Sequence, residues 1–239
     1  MIRGVLFDLD NTLVDFLRMK RQASAEAARA MIAAGAEFPF TDAEAGERLF
    51  DHYLEHGIES DDAFVTFLAK HNRARLSYGL SVQDRILAAG IQTYLRAKDL
   101  FLTPYPGVRR TLVDLARRQM RMGVVTDAPR LKGWQRLTQL AIAEFFDAVV
   151  TFDDTRNHKP DPAPFRAAVE ALGLKPGEIL FVGDWPERDV QGARAVGLRT
   201  VFARYGRPLH AEPHGADAEI QSIDGLLEVL DRWEQKVSA

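Results

Sequence analysis

The sequence predicts a doubly wound α/β fold, a parallel sheet covered by helices on both faces, with an all-helical insertion after the first strand. Three observations carry this. Beyond residue 107, continuous apolar runs alternate with helical segments, the pattern of strands buried on both sides and joined by crossover helices. From about residue 16 to 102 the apolar spacing is helical throughout, and no strand is needed. Between the two textures lies LTPYPGV, where Pro104, Pro106 and Gly107 break the pattern. The expected division is therefore an α/β unit of residues 1–15 with 103–239, and a helical unit of residues 16–102.

The elements follow in order. GVLF opens as a buried strand, and the alanine-rich stretch from Arg18 to Ala34 reads as the first inserted helix. Thr41-Asp42-Ala43-Glu44 is a capping box ahead of AGERLFDHYLEHG, with Gly57 placed to stop that helix. Ser60 is expected to cap DDAFVTFLAKHN, and Ser81 with Asp84 to open VQDRILAAGIQTYLRAKDLF. Beyond the break, VRRTLVDLARRQ is helix, MGVVTDA strand, KGWQRLTQLAI helix, FDAVVTFDD strand, PAPFRAAVEALG helix and EILFVGD strand. The helix DVQGARAVG, the strand RTVFARYG, a short strand AEIQSI and a helix from Leu226 to Gln235 complete the chain.

Composition narrows the function classes. A chain of 239 residues with 46% apolar and 27% charged content is ordinary for a globular protein with a real core. Its formal charge of −3 carries no basic footprint for nucleic acid. Cysteine is absent, which removes disulfides and thiolate chemistry together. No apolar run reaches the roughly 18 residues of a membrane span, and the first strand begins too near Met1 for a signal peptide. The expected location is the cytoplasm, with neither nucleic acid nor membrane as partner.

In doubly wound sheets the functional crevice lies outside the carboxyl ends of the strands. Those ends carry Asp8-Leu9-Asp10-Asn11-Thr12, Thr126-Asp127, Lys159-Pro160-Asp161, and Gly183-Asp184 with Asp189 five residues on. Asp8 and Asp10 stand two apart, so in extended chain they face one side and repel by about 4 kcal/mol at 4 Å and an effective dielectric near 20. If the four ends converge, Asp8, Asp10, Asp184 and Asp189 face one lysine and one hydroxyl. A hard divalent cation relieves such a site, and Mg²⁺ suits it. A phosphate group accounts for the opposite charges, with Lys159 as a compact cation and Thr126 and nearby backbone N–H groups as donors. One aspartate then attacks phosphorus while the other protonates the leaving oxygen and later activates water. The residues alone leave open which does which.

With these motifs in this order, the chain resembles the haloacid dehalogenase-like (HAD) hydrolases, in the branch with a helical cap inserted after the first motif. DLDNTL, VVTD, KPDPAPF and VGDWPERDVQGARAVG are similar to the family's four motifs, and the resemblance covers nearly the full length. It implies a Rossmann-like core and a Mg²⁺-dependent phosphatase acting on a small-molecule phosphate monoester through an aspartyl-phosphate. By that resemblance Asp8 is the nucleophile and Asp10 the general acid and base. Thr126 and Lys159 bind phosphate, and Asp184, the Asp10 carbonyl and Asp8 hold the metal, with Asp189 a direct or outer partner. Asp127 stands in the phosphate-binding group where the family commonly has Asn. Two arrangements are open there: its carboxylate faces the phosphate and weakens binding, or only its backbone N–H does.

In similar proteins the entry to the insertion shapes the leaving-group pocket, which assigns Phe16, Arg18 and Arg21 to the substrate pocket, together with Trp185. Other histidines read more plainly. His52 and His56 are four apart on a helix, yet with no third ligand evident and no H-E-x-x-H pattern they are expected on a solvated face. His210, His214 and His158 are expected in exposed loops. The alternatives to a phosphatase are a sugar phosphomutase of the same fold and a non-catalytic binding protein, while Asp10 argues against dehalogenation. A signalling receiver domain is excluded by the helical block. The expected assembly is a monomer or small homo-oligomer.

Overall fold

The computed structural model describes residues 1–73, 79–207 and 213–238. Six strands form one parallel sheet: β1 (Gly4–Phe7), β2 (Arg121–Val125), β3 (Ala148–Val150), β4 (Ile179–Gly183), β5 (Arg199–Ala203) and β6 (Ala218–Ile220). Their order is β3-β2-β1-β4-β5-β6, so the chain enters at the centre and winds outward in both directions. This is the doubly wound arrangement, and its reversal of direction beside β1 is where a ligand crevice belongs. All four β1 residues are buried, as a strand covered on both faces requires. Phe7 registers with Val124 on one side and Val182 on the other, and Asp8 N–H donates to the Val182 carbonyl at 2.9 Å. Asp8 thus leaves the sheet level with the end of β4.

The chain divides into two compact units, Met1–Asp15 with Pro104–Ala239, and Phe16–Thr103. The second contains α1 (Phe16–Ala33), α2 (Asp42–His56), α3 (Ala63–His71) and α4 (Gly79–Phe101). At the start of α2, the Thr41 N–H and hydroxyl donate to Glu44 at 2.8 and 2.9 Å, and the Glu44 N–H donates back to the hydroxyl at 3.3 Å. Two expected caps differ. Asp62, not Ser60, precedes α3, because the Ser60 hydroxyl reaches only Asp62 Oδ1, at 3.5 Å. Helix α4 already runs at Gly79, two residues ahead of Ser81. His52 also departs from expectation: it is buried, 5.8 Å from Phe67 between ring centres and hydrogen-bonded to Thr66. No helix among the described residues is long and apolar enough to cross a membrane.

In the first unit, α5 (Val108–Arg117), α6 (Arg130–Gln139), α7 (Phe152–Thr155), α8 (Pro162–Leu172), α9 (Gln191–Ala195) and α10 (Gly225–Ser238) link and cover the strands. Phe165 of α8 meets Phe181 of β4 edge to face, 5.1 Å between centroids, in a core with Leu6, Val125 and Ile179. The strand expected through Phe152-Asp153-Asp154 stops at Val150. There the Asp154 carboxylate accepts from the Thr151 N–H and hydroxyl at 2.8 and 2.6 Å, which turns the chain into α7. Asp189 lies inside the π-turn Pro186–Val190 that precedes α9, rather than capping that helix from outside. His214 is not an exposed loop residue: it stacks on Phe202 and pairs with Glu219 at 3.0 Å. His210 lies outside the described residues.

Candidate active site

A buried ammonium organises the carboxyl end of the sheet. Lys159 Nζ lies 2.5 Å from Asp8 Oδ1 and 2.6 Å from Asp189 Oδ1, and all three side chains are at least nine-tenths buried. Asp184 joins them, and one oxygen from each of Asp8, Asp184 and Asp189 lies within 4.8 Å of the others. Three strand ends meet here: β1 supplies Asp8, β4 supplies Asp184 and Asp189, and the segment between β3 and α8 supplies Lys159. Gly183 permits the approach, since a Cβ there would fall 2.5 Å from Asp189 Oδ2. That same oxygen accepts the Trp185 N–H at 3.0 Å, which fixes the carboxylate over the end of β4.

One ammonium cannot neutralise three carboxylates, and the acidities record the imbalance. Burial pushes the Asp8 carboxyl well above its usual range; Lys159 opposes this, and Asp189 and Asp184 add to it. Burial and the Asp189 charge push Asp184 up to about 7. Burial disfavours a charged Lys159, but the Asp189 and Asp8 carboxylates outweigh it and hold the ammonium more firmly charged than a free lysine. Surplus negative charge on closely set, buried oxygen donors is what a divalent cation with oxygen ligands compensates, so the residues present fit Mg²⁺.

The carboxylate of Asp10 does not join this group. Arg136 of α6, only 1% exposed, donates from Nη1 to Asp10 Oδ2 at 2.7 Å. The Asp10 charge still reaches Asp8 and helps to raise its carboxyl, but β1 ends at Phe7, so the alternation of an extended strand no longer governs where the two side chains go, and Asp10 pairs with Arg136. Each aspartate instead has its own cation. Arg136 was invisible to motif reasoning: it sits mid-helix, ten residues past Thr126, and only its burial marks it.

Thr126 is buried, and its hydroxyl oxygen accepts the Ala128 N–H at 3.1 Å, leaving the hydroxyl proton to donate. The Asp127 carboxylate turns to the third motif. It accepts the Lys159 backbone N–H at 2.9 Å and lies 3.5 Å from Arg188 and 3.6 Å from His158. The extra acid thus anchors the segment that delivers Lys159. Tyr205 is a second residue the motifs did not indicate: its hydroxyl donates to the Thr12 carbonyl at 2.8 Å. Next to it, a Cβ on Gly206 would collide with the Asn11 carbonyl, so only glycine lets this turn close on the first motif. Trp185, 37% exposed, has the Arg207 and Arg188 guanidinium groups 3.8 and 4.9 Å from its ring centre. Phe16, Arg18 and Arg21 belong to the helical unit. There Phe16 is buried, Arg18 donates to the Thr103 hydroxyl at 2.7 Å, and Arg21 pairs with Glu47 at 3.3 Å.

A doubly wound sheet whose strand ends gather three acids around one lysine has the crevice of an α/β enzyme core, outside the carboxyl ends of its strands. Residues 2–197 match the haloacid dehalogenase-like hydrolases, and the chain belongs to that family. It is 34% identical over 232 residues to the glyceraldehyde 3-phosphate phosphatase of Methanopyrus kandleri, covering 97% of each. The phosphoglycolate phosphatase of Pseudomonas putida is 31% identical, over 95% of this chain and 78% of its own. Among solved structures, a HAD phosphatase from Thermococcus onnurineus superimposes with a TM-score of 0.65 at 28% identity, covering 96% of this chain and 98% of that one.

Two expectations follow from the site. Replacing Asp127 with Asn keeps an acceptor for the Lys159 N–H and removes one partly exposed ion pair, to Arg188, so unfolding in denaturant should show a loss below about 1 kcal/mol. Turnover should stay within a few-fold of the parent. In metal-stripped protein the raised Asp8 and Asp184 values mean that the folded state binds more protons than the unfolded one between about pH 4 and 7. The cluster's contribution to stability should therefore fall as pH rises through that window, opposed by His52 and His71, whose lowered values act the other way, and saturating Mg²⁺ should lessen the fall in denaturant titrations.

Proposed function

We propose that this chain is a Mg²⁺-dependent phosphatase that hydrolyses two- or three-carbon phosphate monoesters through an aspartyl-phosphate on Asp8. The observation that carries this is the convergence of Asp8, Asp184 and Asp189 on the Lys159 ammonium. The small-ester range rests on what the Methanopyrus kandleri and Pseudomonas putida relatives are named for.

Asp8, Asp184 and Asp189 would hold Mg²⁺, which when bound supplies charge to offset the approaching phosphoryl oxygens. Asp8 is the nucleophile because its carboxylate lies in the cluster, oriented by Lys159 at 2.5 Å. Its free oxygen attacks phosphorus, the ester P–O bond breaks, and Asp10 donates a proton to the departing alkoxide. In the second half Asp10 takes a proton from water, water oxygen bonds to phosphorus, and the acyl-phosphate bond breaks to restore Asp8. Lys159 and the Thr126 hydroxyl stabilise phosphoryl oxygens in both halves. Arg136 fixes where the Asp10 carboxylate sits, apart from the three acids that carry the metal.

A panel of small phosphate esters with Mg²⁺ tests this. Phosphate should be released, EDTA should stop release, and Asp8→Asn should abolish it; an active Asp8→Asn enzyme refutes the reading. Measuring free phosphate rather than an isomeric sugar phosphate separates hydrolysis from the mutase alternative. Arg136→Met should lower kcat on alkyl phosphates by tenfold or more, short of the roughly 10²- to 10⁴-fold a positioned acid–base contributes, with KM little changed. Turnover of p-nitrophenyl phosphate, whose leaving group needs little protonation, should fall much less.

A further inference from the structure

The helical unit holds a second group of metal-compatible side chains. His52, Glu55 and His56 occupy positions i, i+3 and i+4 of α2 and share one face of the helix. One ligand atom from each lies within 4.8 Å of the others, and in this arrangement His56 faces Glu55 Oε2 with Nδ1, at 3.9 Å. Each imidazole has one nitrogen engaged in a hydrogen bond. The single Thr66 hydroxyl proton has main-chain carbonyls to meet, Asp62 at 2.9 Å and Ala63 at 3.3 Å. With that proton on the Asp62 carbonyl, the hydroxyl oxygen accepts from His52 Nε2–H at 2.7 Å, the tautomer that puts the lone pair of His52 on Nδ1. His56 Nδ1 lies 3.1 Å from the His52 carbonyl oxygen, which can only accept, so the lone pair of His56 is on Nε2.

His52 is 4% exposed, and its Nδ1 is buried without a hydrogen-bond partner. A buried nitrogen lone pair left unmatched asks for an explanation that folding does not provide. We propose that His52 Nδ1, His56 Nε2 and the Glu55 carboxylate form a site for a borderline transition-metal ion, with Zn²⁺ the best match. Two neutral imidazoles, one carboxylate and a water complete four-coordination, whereas Mg²⁺ prefers oxygen donors alone. Thr66 on α3 is the outer partner that orients His52, and it links the site to a second helix. The rings now stack, 4.0 Å between centroids and 27° between planes. A shared ion needs both lone pairs to converge in their ring planes, so on binding the exposed His56 ring turns and gives up its bond to the His52 carbonyl, while Thr66 keeps His52 in place.

The test uses metal-stripped full-length protein in excess Mg²⁺, which occupies the aspartate cluster, titrated with Zn²⁺ against a chromophoric chelator. One Zn²⁺ should bind per chain. His56→Ala, at an exposed position that leaves folding intact, should weaken binding by about tenfold or more, and Thr66→Val by roughly tenfold. Nitrogen-detected NMR of the histidine rings should show His52 Nδ1 and His56 Nε2 shifting on Zn²⁺ addition, and Mg²⁺-supported phosphate release should be the same in His56→Ala as in the parent. Equal Zn²⁺ affinity in the parent and His56→Ala, or no shift at His52 Nδ1, overturns the site.

Discussion

The candidate active site depends on one buried ammonium held between two carboxylates. Removing Lys159, Asp8 and Asp189 from water costs several kcal/mol per ion, and contacts of 2.5 and 2.6 Å offset this only while all partners stay in place. The surroundings serve that geometry. Gly183 leaves room for Asp189, the Trp185 N–H orients it, and Asp127 ties down the backbone that carries Lys159. The third carboxylate, Asp184, makes no direct ion pair with that ammonium; Lys159 and Arg207 offset only part of what burial and Asp189 impose on it, a charge balance that suits a divalent cation.

A second ion pair gives the two aspartates of the first motif different partners. Both belong to one short turn, yet Asp8 goes to Lys159 and Asp10 to Arg136. Separate cations give separate environments, the condition under which one carboxylate can attack while another moves protons. Tyr205 and Gly206 close on the same turn from beyond β5, so the first motif is held by elements nearly two hundred residues away in sequence.

Much of this was legible in residue order. Continuous apolar strands marked the parallel sheet, and polar residues at strand ends marked Asp8, Thr126, Lys159, Asp184 and Asp189, because the crevice of a doubly wound sheet must lie there. The capping box at Thr41 was equally readable, since every group in it is within three residues. What escaped was non-local. Arg136 is one arginine among 24 until its burial against Asp10 is seen. His52 read as a solvated helix face because a one-dimensional pattern does not record that α3 packs over it.

By itself, then, the amino-acid order determined the architecture, the chemical type of the site and its principal acids and lysine, through periodicity and through the placement of polar groups after apolar runs. Tertiary structure decided which cation each acid meets, where Asp127 points and which histidine is buried. These are choices of partner across long sequence separations, made by side-chain geometry and desolvation, and local spacing carries no information about either.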